Sequence, residues 1–228
     1  MIRIYQIDNR FGQDEVLDWA SKTIKKAAEY CGAYYQRFND NQGDNIRSGE
    51  KNYYYSKWAV LEDLLEKSQD GDIIIYVDSD VVAELDGFTE LIAIMNDNPE
   101  KTFFITSIIA AFNGGIFAIK VRPEIKSILL RIINQIKTGK YPEVFATKFG
   151  DIFLPDEIPL DYAILNNEYN INRQLYYLDT EIFNCLPPDM FPPEEPDYLP
   201  IPSEETRFMH YTGEIGKDRL KERYIARK

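Results

Sequence analysis

Histidine occurs once in this 228-residue chain, at His210, and cysteine twice, at Cys31 and Cys185. The two thiols lie far apart and form no CxxC pair, so no disulfide framework is encoded and a reducing compartment is the expected setting. No stretch approaches the roughly 18–20 apolar residues of a membrane span. The opening residues, MIRIYQIDNRFG, lack the apolar run of a signal peptide. A cytoplasmic protein is therefore expected, or one peripheral to a membrane that it does not cross. Positive charge is scarce: 26 Lys and Arg stand against 38 Asp and Glu, a net charge of −12. So acidic a surface repels a nucleic-acid backbone, and nucleic acid is not an expected partner. No glycine-rich, basic phosphate loop follows the first strand, where Asp8-Asn9-Arg10-Phe11-Gly12 stands instead.

What is present is globular: 44% hydrophobic and 28% charged residues, enough for one full core. Arg3 to Asp8 has the β-branched and aromatic content of a strand. Gln13 to Cys31 places apolar residues at helical spacing. Ala33 to Phe38 predicts a second strand, residues 40–52 a polar surface loop, and Tyr55 to Lys67 a helix. Asp72 to Val77 (DIIIYV) is a continuous apolar run, as in a strand buried on both faces. A short helix over Gly87 to Met95 follows, then strands over Thr102 to Thr106 and Gly115 to Lys120. Arg122 to Lys137 predicts a helix with Pro123 in its first turn. Asp161 to Asn167 predicts a short helix, Gln174 to Leu178 a strand, and the proline-rich Asn184 to Pro202 an extended wrap. Lys217 to Lys228 predicts a basic amphipathic helix. Alternating strands and helices imply an α/β fold, a mostly parallel central sheet flanked by helices. Such sheets bind ligands beyond the carboxyl ends of their strands.

At that end of the apolar strand stands Asp78-Ser79-Asp80. Residues two apart in an extended segment face the same side, so both carboxylates can line one pocket. Adjacent carboxylates repel unless a cation neutralises them, and hard divalent ions take such oxygen ligands and bridge them to phosphates. Asp and Ser are also ordinary turn residues, which is the competing reading.

YVDSDVV resembles the DxD segment of GT-A fold glycosyltransferases. Three further stretches, in the family's order, are similar to signatures of glycosyltransferase family 8, the glycogenin-like enzymes. They are Phe112-Asn113-Gly114-Gly115-Ile116-Phe117-Ala118-Ile119, then Asp161-Tyr162-Ala163-Ile164-Leu165-Asn166, then His210-Tyr211-Thr212-Gly213 followed by Lys217. Tyr55-Ser56-Lys57-Trp58 with Leu61 is similar to the helix preceding the DxD strand. Tyr162 stands where the family has Gln, and Lys217 falls one residue late. Family 34 galactosyltransferases, which also carry DSD after a hydrophobic strand, are the near alternative.

The resemblance implies a single GT-A type nucleotide-diphosphosugar transferase domain. Residues 1–110 would form a nucleotide-binding half, and 111–228 an acceptor-binding half with a C-terminal tail. It implies Mn²⁺ or Mg²⁺ held by Asp78, Asp80 and His210, and a nucleotide-diphosphate sugar, a uridine diphosphate hexose first, as donor. A carbohydrate, glycoprotein or glycolipid would be the acceptor. Asp161 would lie near the reacting sugar carbon, and Lys57 and Lys217 would meet donor or phosphate beside Ser79. The competing readings are a helix N-cap for Asp161, a loop histidine for His210, and solvated helix residues for Lys57 and Lys217. Asn113 can donate to and accept from sugar hydroxyls, whereas Asn-Gly is also a hairpin signal. Gly114, Gly213 and Gly216 would let backbone approach a diphosphate, or serve turns. Asp8, ending the first strand, is a candidate for base or ribose. The Tyr53-Tyr54-Tyr55 run can stack on sugar or base or pack in the core. The basic C-terminal helix reads as solvated, as a membrane-surface contact or as a contact to an anionic acceptor. The rivals are a metal-dependent nucleotidyltransferase and a non-catalytic carbohydrate-binding module on the same fold.

Overall fold

The computed structural model describes residues 1–39, 55–107, 112–141, 145–147, 150–152, 157–187 and 202–227. The expected loop over 40–52 and most of the proline-rich wrap, 188–201, lie outside the described residues. Strands β1 (Ile2–Ile7), β2 (Tyr34–Phe38) and β3 (Ile73–Val77) alternate with helices α1 (Glu15–Tyr30) and α2 (Ser56–Lys67). The short strand β4 (Val81–Ala83), helix α3 (Gly87–Asp97), strands β5 (Phe103–Thr106) and β6 (Asn113–Lys120) and helix α4 (Pro123–Lys137) follow. A two-stranded ribbon, β7 (Phe145–Thr147) with β8 (Gly150–Ile152), precedes α5 (Ile158–Leu165), a 3₁₀ segment (Glu168–Arg173) and β9 (Leu175–Tyr177). Helix α6 (Thr180–Phe183), strand β10 (Phe208–His210) and helix α7 (Gly213–Ala226) complete the order.

Among the described residues, six strands form one sheet in the order β2-β1-β3-β6-β5-β9. It is mixed but mostly parallel: β6 alone runs against its neighbours, β3 and β5, and the other pairings are parallel. The apolar run of β3 is buried at every position, as a strand covered on both faces requires. Its side chains divide by pleat. Ile74 and Tyr76 join α2, α4 and α5 in one cluster, whereas Ile73, Ile75 and Val77 join α1 and α3 in the other. The result is a helix–sheet–helix sandwich with β3 and β6 at its centre.

The element order agrees with the expectations from periodicity, and the differences lie at ends and in short pieces. Helix α5 begins at Ile158, so Glu157 rather than Asp161 is its N-cap residue, and Asp161 is in the first turn. Helix α7 begins at Gly213, earlier than expected, because Thr212 with extended backbone already opens it. It packs on α1 through Leu220 and Tyr224, with Ile215 and Ile225 left exposed, so its apolar residues do not gather on one face. No helix among the described residues is long and apolar enough to cross a membrane.

Trp58 of α2 is fully buried and lies 6.0 Å from the Phe117 ring at an interplanar angle of 10°. Tyr76 stacks on the same ring from β3 at 5.1 Å. This aromatic layer fixes α2 against the sheet below the end of β3. Trp58→Ala is expected to destabilise the protein by about 3–5 kcal/mol, in the range for removing a buried aromatic. Chemical denaturation measures it, and a loss below about 1 kcal/mol would contradict the packing described.

Candidate metal centre

After Val77 the chain leaves the sheet and turns. The Val81 amide donates to the Asp78 carbonyl at 3.3 Å, so Ser79 and Asp80 sit in a turn rather than in extended backbone. Turn and site, set out from the sequence as competing readings, coincide. The Asp78 amide donates to the Gly115 carbonyl at 2.8 Å, and the Gln6 side-chain amide donates to the Asp78 carbonyl at 2.8 Å. Both hydrogen bonds pin the turn to the neighbouring strands.

His210 reaches this turn through a strand pairing. β10 runs antiparallel to β4 with His210 opposite Val81, and the Tyr211 amide donates to the Asp80 carbonyl at 3.1 Å. His210 therefore belongs to a buried strand, not a surface loop. Its Nε2 lies 3.3 Å from Asp80 Oδ1 and 3.6 Å from Asp78 Oδ2. The three ligand atoms all fall within 4.8 Å of one another, the one such His, Cys, Asp or Glu group among the described residues. The carboxylates stay open to a ligand, with 27% and 19% of the Asp78 and Asp80 side chains exposed.

The electrostatics follow from this crowding. Burial pushes the Asp78 carboxyl above the usual carboxylate range, although Lys57 and His210 beside it pull the other way. Burial acts on Asp80 in the same direction, but the charge and hydrogen bond of His210 win and hold its carboxyl low. Burial would lower the His210 imidazole, yet the Asp80 carboxylate, with Asp78 behind it, lifts it above its ordinary value. Two carboxylates and one imidazole suit a divalent cation that accepts oxygen and nitrogen ligands, Mn²⁺ among them.

The other sequence candidates divide. Lys57 is buried, not solvated: its Nζ lies 3.8 Å from Asp78 Oδ1 and 5.1 Å from the Tyr76 ring centroid. Tyr76 Oη also donates to Asp78 Oδ1. Ser79 Oγ donates to Asp8 Oδ2 at 2.6 Å, and Arg10 clamps the same carboxylate with three further hydrogen bonds, two from its guanidinium and one from its backbone amide. Burial would raise the Asp8 carboxyl, but those hydrogen bonds outweigh it and hold it low. Asp161 is buried and accepts from the Phe112 amide at 2.8 Å, tying α5 to the entrance of β6.

Asn113 and Gly114 open β6 and form no hairpin turn. Between β5 and β6 the register jumps, Ile105 facing Phe117 but Thr106 facing Asn113, so Gly114, Gly115 and Ile116 bulge out of the ladder. Neither glycine is needed for its backbone angles; each is needed for space. A Cβ on Gly114 would lie 2.6 Å from Lys57 Nζ and 3.0 Å from Glu157 Oε1. One on Gly115 would lie 2.4 Å from His210 Nδ1. Gly216 has the same use, since a Cβ there would meet the Tyr211 carbonyl carbon at 2.4 Å. Gly213 (φ 70°) starts α7 beyond His210, and Lys217 lies on that helix with its side chain exposed.

Sequence reasoning missed Asn184, Thr106, Tyr76 and Glu157. Asn184 is fully buried and its Oδ1 lies 3.0 Å from His210 Nδ1. Glu157 Oε1 accepts from the Gly114 amide. Only Tyr76, a hydroxyl two residues before Asp78 in an apolar strand, left a readable trace.

No protein-family model and no curated sequence matches the chain. Solved structures do match over nearly its whole length. A glycosyltransferase involved in glycosylation of the major capsid of PBCV-1 is 13% identical, with a TM-score of 0.64 over 98% of this chain and 98% of that one. Mouse xyloside xylosyltransferase 1 is 9% identical, with a TM-score of 0.59 over 92% and 96%. The galactosyltransferase LgtC, solved with donor and acceptor sugar analogs, is 13% identical, with a TM-score of 0.57 over 97% and 94%. The likeness to GT-A glycosyltransferases, family 8 among them, holds at the level of the fold: this chain has the α/β architecture of those enzymes, with a candidate Asp-Asp-His metal centre at the end of its central strand.

Proposed function

We propose that this chain is a metal-dependent glycosyltransferase that moves a hexose from a nucleotide-diphosphate sugar, a uridine diphosphate hexose first, to a glycan, glycoprotein or glycolipid acceptor. The observation that carries this reading is the meeting of Asp78, Asp80 and His210 within 4.8 Å, in a fold shared with glycosyltransferases. Asp78, Asp80 and His210 would hold Mn²⁺ or Mg²⁺. When bound, that ion neutralises the diphosphate and stabilises the charge of the leaving nucleotide.

The chain's own residues supply the rest. Asp8 and Ser79, already hydrogen-bonded to each other, lie at the ends of adjacent parallel strands where base or ribose would rest. Lys57 brings a buried positive charge to the Asp78 side of the pocket, suited to a donor phosphate or sugar hydroxyl. Gly114 keeps the backbone low beside it. Asp161, which accepts from the Phe112 amide, and Asn113, the residue after Phe112, are assigned to the donor sugar. Gly213 and Lys217 are assigned to the diphosphate from the start of α7. Residues 1–110 then serve as the nucleotide half and 111–228 as the acceptor half, and the metal site draws ligands from both. The basic residues of α7 leave contact with a membrane surface or an anionic acceptor as a further proposal.

Asp80→Asn is expected to abolish Mn²⁺-dependent binding of uridine diphosphate in calorimetry while the far-UV circular dichroism of the metal-free protein stays that of the wild type. Unchanged nucleotide affinity in this variant, with metal present, would sink the assignment. A second expectation concerns pH. His210 titrates above 6.5 in the metal-free fold, so the stability from its pairing with Asp80 is complete below 6.5 and is lost as pH rises through the lifted value. The metal-free melting temperature should therefore fall over that window in the wild type. Mn²⁺ affinity should rise over the same window, since the proton and the ion compete for Nε2. In His210→Gln both trends should flatten; a wild type whose melting temperature climbs there contradicts the pairing.

A further inference from the structure

The metal-facing nitrogen of a histidine is decided by what its other nitrogen does. In this fold that decision traces back to one backbone amide. The Gly115 N–H can only donate, and it does so to Asn113 Oδ1 at 3.0 Å. Asn113 Oδ1 is thereby an acceptor, and the Asn184 atom 2.5 Å from it must be the amide Nδ2. The same Nδ2 donates to Thr106 Oγ1 at 2.8 Å, which uses both of its protons. Asn184 Oδ1 is then the atom turned to His210 Nδ1 at 3.0 Å, and having no proton it accepts one from the ring. Nδ1 carries a hydrogen and Nε2 faces the two carboxylates.

We propose that Asn184 is a positioning residue that locks His210 in the Nδ1–H tautomer, with Asn113 as its anchor, so that Nε2 is kept for the metal. The proposal rests on the metal reading given above and extends it to a residue outside the ligand set. Three features hold the lock still. Asn184 and Thr106 are both fully buried. Cys185, the next residue, takes the Phe208 carbonyl with its amide at 3.0 Å and gives its carbonyl to the His210 amide at 2.8 Å, a strand-like pairing that sets Asn184 alongside His210. The bare face of Gly115 supplies the room: a Cβ would come 2.4 Å from His210 Nδ1 and 2.7 Å from Asn184 Oδ1, between the two partners. Asn113 has its oxygen committed twice inside the protein. What it offers a donor sugar is therefore its amide N–H₂ group, a donor to a sugar oxygen.

The single histidine makes the lock directly visible. Nitrogen-edited NMR of the full chain at alkaline pH, where the ring is neutral, with and without Zn²⁺, should show a proton on Nδ1 of the one imidazole in both states and none on Nε2. In Asn184→Ala that hydrogen-bonded proton should exchange rapidly or vanish, and Mn²⁺ affinity without donor should fall roughly 10–100-fold, as for other outer partners of ligating histidines. Asn184→Asp keeps an acceptor for Nδ1–H and Thr106 can turn its hydroxyl to donate, but a carboxylate oxygen would oppose Asn113 Oδ1. The double variant Asn184→Asp with Asn113→Ala, which removes that opposing acceptor, should therefore retain the Nδ1 proton that Asn184→Ala loses. A wild-type imidazole lacking the Nδ1 proton, or an Asn184→Ala variant matching wild type in both spectrum and Mn²⁺ affinity, overturns the proposal. The wild-type spectrum decides it even if Asn184→Ala does not fold. Failure of the wild type to bind Mn²⁺ would sink the metal reading instead, and the Nδ1 proton would still decide the lock.

Discussion

Two carboxylates forced together at the end of a buried strand repel each other, and the surrounding structure is organised by the need to offset that repulsion. Unit charges closer than 4.8 Å cost roughly 3 kcal/mol or more at an effective dielectric of about 20. Asp78 and Asp80 cannot part, because both backbones are pinned, Asp78 to Gly115 and Asp80 to Tyr211. Positive charge must come to them. His210 arrives from one side, carried by β10, and Lys57 from the other, carried by α2. A divalent ion, under the proposed function, would be a further contributor, and both carboxylates are open enough to take one. The local field at the end of β3 is set by these few groups and not by the net charge, which is what makes the proposed anionic donor compatible with an acidic protein.

Backbone without side chains is what lets the cations come so close. The bulge in β6 places Gly114 and Gly115 in succession, and successive positions of a strand face opposite ways. Lys57 and Glu157 lie against the one, His210 and Asn184 against the other. A strand that looks from sequence like a turn signal followed by an apolar run is instead a platform, its two bare positions serving two separate groups of polar side chains. Thr106, fully buried at the same bulge, belongs to the second group through Asn184.

The far end of the chain is tied in by short pieces. α6 delivers Asn184, β10 delivers His210, and α7 runs on from β10 to pack against α1 through Leu220. Gly216 allows α7 to lie against the Tyr211 backbone, which keeps the turn after His210 tight. Each piece is too small to be stable alone. They hold because β4 continues directly from the carboxylate turn and presents an edge on which β10 can pair.

Much of this could be read from the residues. The uninterrupted apolar run of β3 marked a central strand, helical spacing marked α1, α2 and α4, and Asp78-Ser79-Asp80 at the strand's end marked the chemistry, because burial and periodicity are local and leave a local pattern. The Asn113-Gly114-Gly115 run, His210 and Asp161 were visible as candidates through their resemblance to glycosyltransferase family 8 signatures that occur in the same order. The pairing that brings His210 to Asp80 was not, since Val81–Ala83 and Phe208–His210 are three-residue strands with no period to detect. Nor was the burial of Lys57, a charged residue on a helix that composition alone would leave in solvent, nor Glu157 as the residue that opens α5. Asn184 had no signature at all. An amide between Phe183 and Cys185 becomes meaningful only when a strand pairing sets it beside an imidazole and a glycine leaves room for both. The sequence by itself determined which groups bear charge and which segments are strand or helix; the tertiary structure alone decided which of those groups meet, because meeting depends on long-range backbone pairing and on the absence of a Cβ.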